Sequence, residues 1–465
     1  MTMKKLQRIL TIALLALISW SAQAQQVNTL YFLENAPMRH VLNPALMPVS
    51  NGYINFTPLG YTSMAFGMPI TMKDAIYKDA NGQYITALYS ADTQAKLLKS
   101  MRRTNLTYTD FSMGLLNFGF RVKENGYFHF ELMLHGEMGL SFAKPTYLLG
   151  GQGYNSSNVY DLNISRFGVN FDSYVDLGFG YAHKINDQWT VGGKLKILLG
   201  AGFVNVGTGK NATIKMSKDA IDINLEKTEV AAGIPLKLDL PTDIKVADLI
   251  NGKVDGFKFD NLSTNDLRIP AGVGAAIDLG MAYKPHEQVQ ITAAVNDLGF
   301  IYWMSGQRYR ANGTVHFEGV DSLAYSAIKD GKAGDIALNQ VKGLAENITL
   351  QGAKGKGFAR MVTAKLNVGV DANFWENRVG IGVLSQTRFY NNKVYEEVTL
   401  GGSFRPVNWF NLALTYSLVE NGKYSNLGAG ISLMPYDGIN MTLAMDYIPT
   451  RYAAIDVNGT PKYLL

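Results

Sequence analysis

The stretch Glu397–Tyr447, EVTLGGSFRPVNWFNLALTYSLVENGKYSNLGAGISLMPYDGINMTLAMDY, alternates apolar and polar residues almost without error. Phe410, Leu412, Leu414, Tyr416 and Leu418 interleave with Asn411, Ala413, Thr415 and Ser417. Leu427, Ala429, Ile431 and Leu433 follow the same rule, and so do Ile439, Met441, Leu443, Met445 and Tyr447 after the turn Tyr436-Asp437-Gly438. A period of two puts the large apolar side chains on one face of a sheet and the amides, hydroxyls and glycines on the other. A soluble sandwich would need a second layer over the apolar face, and no segment of the chain reads as one. Strands of about ten residues, apolar outward and polar inward, are the pattern of a transmembrane β-barrel.

Working outward, the pattern recurs along most of the chain. Strands are expected near Gly52–Phe66, Asp110–Val122, Phe128–Leu140, Val175–Tyr181, Trp189–Leu199, Val273–Tyr283, Val289–Trp303, Leu366–Phe374, Val379–Val383 and Val398–Phe404. Their tight turns include Lys123-Glu124-Asn125-Gly126 and Asp437-Gly438, since Asn-Gly and Asp-Gly pairs favour hairpins. Short turns alternate with long connections at 68–109, 141–171, 207–268 and 304–360, which assigns the short turns to the periplasm and the long loops to the outside. An N-terminus in the periplasm requires an even number of strands, so about fourteen are expected, the last between Arg451 and Leu465. Within the long loops, Asp92 is expected to cap a helix over Thr93–Arg103, 211–230 to form a hairpin, and 335–347 a short helix. Breaks at Pro58-Leu59-Gly60 and Leu115-Leu116 mark kinks. Aromatics such as Tyr127, Trp189, Tyr283, Trp375 and Trp409 gather near the short turns as an interfacial girdle.

Residues 1–24 read as an export signal, with Lys4, Lys5 and Arg8 before the apolar run Ile9–Trp20 and the cleavage site Ala22-Gln23-Ala24. Residues 51–465 are the barrel. Between them, 25–50 carries proline breaks and no alternation, yet it holds Leu30, Tyr31, Phe32, Leu33, Val41, Leu42, Leu46 and Met47. That apolar content suits a hatch packed in the barrel better than a solvated tail. Asn43-Pro44-Ala45, flanked by Leu42, Leu46 and Met47, is the candidate that locks it to the wall, because proline fixes φ and asparagine bonds nearby backbone.

The chain has no cysteine, which removes disulfides, thiolate chemistry and lipid attachment through an N-terminal cysteine. Three of its 43 Lys+Arg lie in the signal, so the remainder nearly balances 38 Asp+Glu and nothing suggests nucleic acid. The expected lumen carries both signs: His129, Glu131, His135, Glu137, Lys194, Lys196, Asp278, Lys365, Asp371, Glu397, Arg405 and Asp446. A mixed lumen argues against a strongly ion-selective pore. His129, Glu131, His135 and Glu137 share one edge of a strand and could approach a metal, but no third ligand is fixed by spacing, so pairing with Lys194 and Lys196 across the lumen is the preferred reading and no metal or other cofactor is assigned. No histidine sits in a motif with a serine, so no catalytic residue is assigned. Gly352–Gly357 lacks the phosphate-loop pattern, and Asp321-Ser322-Leu323 matches a glycosylation acceptor over three residues only.

The signal, the proline-broken segment with Asn43-Pro44-Ala45-Leu46 and the strand count together resemble the long-chain fatty-acid transporter (FadL-type) superfamily of outer-membrane barrels, whose hatch carries Asn-Pro-Ala. The type IX secretion shuttle (PorV-type) barrel is similar in layout. Tyr31–Pro48, YFLENAPMRHVLNPALMP, and Asp446–Tyr452, DYIPTRY, look like a Bacteroidota outer-membrane family of no assigned function. The FadL-type resemblance implies a small hydrophobic ligand that enters from outside and leaves sideways through a gap in the wall, for which the two kinks are the expected places. The alternative is a barrel that does not transport and docks a surface or periplasmic protein partner, or a lipoprotein, through its long loops. In either case the expected surroundings are outer-membrane lipid.

Overall fold

The computed structural model describes residues 27–56, 61–67, 90–102, 104–144, 160–165, 167–216, 220–233, 270–304, 306–311, 357–390, 393–419, 424–448, 453–457 and 460–464, with short pieces of the connections between them. The expected signal peptide, the kink at Pro58-Leu59-Gly60, the helix at 335–347 and Asp321-Ser322-Leu323 lie outside the described residues.

Among the described residues, fifteen strands build the wall: β1 Gly52–Phe56, β2 Thr62–Gly67, β3 Thr104–Val122, β4 Gly126–Ala143, β5 Gly168–Lys184, β6 Trp189–Gly207, β7 Gly272–His286, β8 Val289–Trp303, β9 Phe358–Met361, β10 Ala364–Phe374, β11 Val379–Tyr390, β12 Lys393–Val407, β13 Phe410–Val419, β14 Tyr424–Tyr436 and β15 Ile439–Met445. Each pairs antiparallel with its neighbours in sequence, β1 and β2 both on β3, and β9 and β10 both on β8. These two interrupted pairs each make one stave of the barrel. Four short strands at 228–233, 243–245, 307–311 and 349–352 extend the same sheet above β6 and β8, completing its 19 strands. The loop pieces at 160–163, 213–216, 220–224 and 314–318 form a separate four-stranded sheet, with the expected hairpin at its centre.

The ring is nearly closed. Asn51, just before β1, donates from its main-chain N and from Nδ2 to the Asp437 carboxylate at 3.0 and 2.7 Å, which sets the starts of β1 and β15 side by side. Near-closure is what lets a sheet lie in lipid, where every unpaired backbone group costs several kcal/mol. The outward face is apolar throughout: Leu195, Met361, Leu414 and Leu443 are each at least 60% exposed. Alternate residues face inward and are buried, Asn411, Ala413, Thr415 and Ser417 among them. This is a transmembrane antiparallel β-barrel.

Two expectations need correction. Residues 453–457 and 460–464 pair with each other as a hairpin instead of supplying one last wall strand, because each segment satisfies its ladder with the other across a short connection. The loop helix spans Ala91–Ser100 and is capped by Ser90, whose Oγ accepts from Thr93 N, while Asp92 pairs with Lys96 one turn on. Ser90 at N-cap and Thr93 at N3 make a reciprocal box that outcompetes a cap at Asp92. The expected register change in β3 is present: the ladder to β4 skips Leu115, with Gly114 opposite Met133 and Leu116 opposite Leu132.

Candidate functional site

Residues 27–50 touch inward-facing groups of strands all round the ring, so they lie within it. They form two short 3-10 turns, Asn28–Phe32 and Pro37–Val41, and nearly every side chain is buried. At one side Asn28 N and Thr29 N donate to the Asp446 carboxylate just past β15, and Thr29 bonds Thr415 on β13. At another, Tyr31 Oη bonds Thr292 on β8 and donates to Asp371 on β10 at 2.9 Å. Glu34 pairs with Arg405 on β12, and Asn35 donates to the Asn408 carbonyl in the β12–β13 turn. The segment therefore sits at the short-turn end of the lumen.

Asn43-Pro44-Ala45 is its most fully engaged part. Asn43 Nδ2 donates to the carbonyls of Met281 and Ala293 at 3.1 and 3.3 Å, while its Oδ1 accepts from Ala45 N at 2.9 Å. The wall answers with Asn296 and Asn367, whose Nδ2 atoms both donate to the Leu42 carbonyl at 2.8 Å. Glycines in β6 and β7 make the seat: a Cβ on Gly280 would lie 2.1 Å from Asn43 Oδ1, and one on Gly192 would lie 2.4 Å from the Pro44 carbonyl. Leu42 and Leu46 pack with Leu30, Tyr31 and Leu33 into the segment's own apolar cluster, which Met47 flanks.

Burial shapes the segment's titratable groups. Burial pushes Glu34 up, but the Arg39 and Arg405 guanidiniums outweigh it and hold the carboxyl below its usual range. Burial, then the neighbouring His129, Lys194 and Lys196, hold His40 well below the ordinary imidazole value. Tyr31 is pushed up by burial and by the Asp371 carboxylate.

Above the segment lies a buried ion network. Lys194 meets Glu131 at 2.8 Å, and Lys196 meets Asp278 and Asp297 at 2.9 and 2.6 Å, while Lys365 reaches Asp297 at 3.3 Å. The pairing of Glu131 with Lys194 runs along the wall, not across the lumen as the sequence suggested. Glycines at 178 and 180 on the intervening β5 leave room for the two side chains to meet over it. His135 pairs with Asp176 at 2.9 Å, His129 stacks on His40, and Glu137 accepts from Thr363. His129, Glu131, His135 and Glu137 thus have separate partners, and no cluster fit to hold a metal occurs among the described residues.

Asp297 is a member that alternation misses. The β7–β8 ladder slips between Ile277 and Leu279, and Asp297 adopts a left-handed φ of 59°, so an extra residue turns inward beside Asn296. Asp176, Asp110 and Arg388 were legible as inward positions from strand parity. Arg388 pairs with Asp110 across the β3–β11 gap.

Two cavities flank this layer. One of about 550 Å³ opens at the short-turn end between the segment, at Glu34, Arg39 and Leu46, and the wall at Lys184, Gln290 and Asn377. The other, about 850 Å³, lies towards the long loops. Its lining mixes inward residues, Glu137, Asp172, Tyr174, Ile301, Trp303 and Thr363, with the lipid-facing Met361, Phe389 and Val394. It breaches the wall where β9 ends and β10 begins. There β10 pairs with β11 only from Ala364–Phe389 downward, and β9 has no ladder partner on that side among the described residues.

Residues 44–446 match the model of a family described as "Family of unknown function (DUF5723)", and the chain belongs to that family. No curated protein matches it. Among solved structures, the TodX deltaS2S3 mutant monoaromatic hydrocarbon channel aligns over 90% of both chains with 9% identity and a TM-score of 0.41. A Pseudomonas aeruginosa FadL homologue aligns over 91% of this chain and 90% of its own, with 10% identity and a TM-score of 0.35. The translocator domain of autotransporter NalP from Neisseria meningitidis aligns over 82% and 86%, with 8% identity and a TM-score of 0.31. Likenesses at this level leave the function to the chain's own residues.

Proposed function

We propose that this member of the DUF5723 family is an outer-membrane barrel that binds a small hydrophobic ligand and passes it inward, with residues 25–50 acting as its hatch. The observation that carries this reading is the 850 Å³ cavity, whose lining joins the lumen to the lipid-facing surface. Its volume suits one drug-sized molecule. An apolar molecule could reach it without crossing the polar lumen. The expected gap at Leu115-Leu116 is not where this cavity opens; its breach at Val362-Thr363 lies on the opposite part of the ring.

From there the ion network and Asn43-Pro44-Ala45 stand between the upper cavity and the 550 Å³ one at the short-turn end. Passage on this reading requires the hatch to shift. Its contacts with the wall are separate hydrogen bonds, each worth about 0.5–1.5 kcal/mol net between neutral groups, together with the Glu34–Arg405 ion pair.

The test is gentle detergent extraction of the full chain followed by native mass spectrometry. A bound small hydrophobe, lost when Phe389→Trp fills the breach, is the expected result. A stoichiometric protein partner, lost on trimming the loops at 207–268 and 304–360 and with no small molecule present, would replace ligand passage by the docking role.

A further inference from the structure

Arg39 is the only lysine or arginine of residues 27–50, and it is only 8% exposed. A guanidinium carries five N–H donors in a fixed fork, and a buried one is normally bonded to a carboxylate or a carbonyl. This side chain makes no hydrogen bond or ion pair among the described residues. Its Nε is shielded and has no acceptor, whereas Nη1 and Nη2 are not shielded in this way. The guanidinium rests over the Tyr31 ring, 5.7 Å from its centroid. Glu34 and Asp371 stand near enough to feel its charge, but both carboxylates are held by other groups. Glu34 is met by Arg405 and Asn377, and Asp371 by Tyr31 Oη and Asn373. Residues 1–26 and 449–452, which adjoin this end in sequence outside the described residues, contain no Asp or Glu.

The groups around the unmet fork are those that line the 550 Å³ cavity. Arg39 and Glu34 line it from the segment, and Gln290, the ladder partner of Asp371, lines it from the wall. A solute in the cavity is therefore beside the guanidinium. The segment adds an apolar floor at Ala45, Leu46 and Met47. The mouth carries both signs, Lys184 and Lys284 with Glu287 and Glu376, so net charge selects little and the Arg39 fork does the selecting. Its planar geometry matches a carboxylate, which can accept from two N–H groups at once.

From this juxtaposition we infer that the lower cavity is a binding site for a small organic carboxylate that enters at the short-turn end. The carboxylate takes the Arg39 fork, and a short apolar body rests on Leu46 and Met47. Arg39 belongs to the segment and Gln290 to the wall, so the bound solute touches both and holds the segment docked. The site is separate from the upper cavity and does not depend on passage of a ligand through the barrel.

The test uses the full chain in lipid nanodiscs at neutral pH, with empty nanodiscs as the reference and two probes, pentanoate and its uncharged isostere pentanamide. Pentanoate is expected to bind about ten- to a hundred-fold more tightly, the range of hydrogen bonds to a charged group. At about ten times its dissociation constant it should slow protease cleavage within 27–50 by about ten-fold, since a ligand of the docked form alone divides the open population by that factor. Arg39→Met keeps the stem, breaks no hydrogen bond, and should abolish both the preference and the protection. Arg39→Lys keeps the charge without the fork and should retain part of each. Heat-modifiable gel mobility checks that each variant forms the barrel. Equal binding of the two probes to the parent chain overturns the site without any variant. Binding of pentanoate with no slowing of cleavage overturns the bridging role, and a preference unmoved in a folded Arg39→Met barrel overturns the assignment to Arg39.

Discussion

His40 of the N-terminal segment stacks on His129 of β4 with ring centroids 4.2 Å apart, and its Nε2 lies 2.7 Å from Tyr53 Oη. Both imidazoles are fully buried, and Lys194 and Lys196 stand close by. His40 is therefore held neutral. A group whose value is depressed on folding stabilises the folded state above its unfolded value, near 6.5, and that stability is lost as the pH falls. Each pH unit below that point costs about 1.4 kcal/mol while His40 stays uncharged. Docking of the segment should be intact at neutral pH and loosen towards pH 5, seen as protease cleavage within 27–50 while the barrel stays heat-modifiable. In His40→Gln the cleavage should become independent of pH over that range; persistence of the pH dependence would remove His40 from the explanation.

Asn43→Ala removes the two bonds to Met281 and Ala293 and the local one to Ala45. The expected loss is about 1–3 kcal/mol of docking. Single-channel recording in planar bilayers should show openings that the parent chain lacks. Conductance and protease resistance unchanged from the parent would mean that the remaining contacts hold the segment alone.

Gly280→Leu tests the same seat from the wall side, since a Cβ there would stand 2.1 Å from Asn43 Oδ1 and 2.8 Å from Pro44 Cδ. The variant should assemble as a barrel, because residue 280 is in a regular stretch of the β7 ladder, but with residues 27–50 open to protease. A protected segment in this variant would show that the wall yields instead.

Lys196→Met takes the cation from Asp278 and Asp297 and leaves two buried carboxylates with reduced compensation. Removing one partner of a buried ion pair costs about 3–5 kcal/mol. The temperature at which the barrel loses its heat-modifiable mobility should fall, and adding Asp297→Asn should recover part of the loss. No recovery in the double variant would place the effect outside this network.

The sequence alone determined the class of fold, because a barrel wall is a local code: alternation of side chains along each strand decides which face meets lipid. Asn411, Thr415 and Ser417 were legible as inward, and Leu414 and Tyr416 as outward, before any contact was known. Most lumen charges, Glu131, Lys194, Lys196 and Asp278 among them, followed from the same parity. Tertiary structure decided what parity cannot express. A bulge turned Asp297 inward against its neighbours' pattern, since an extra residue on one strand breaks the period of two. Ring closure brought Asn28 to Asp446 and Asn43 to Met281, contacts between residues hundreds of positions apart that no local pattern encodes. The place of the breach was also non-local: it depends on where the β10–β11 ladder ends relative to β9, which is a matter of strand heights around the ring and not of any one residue's preference.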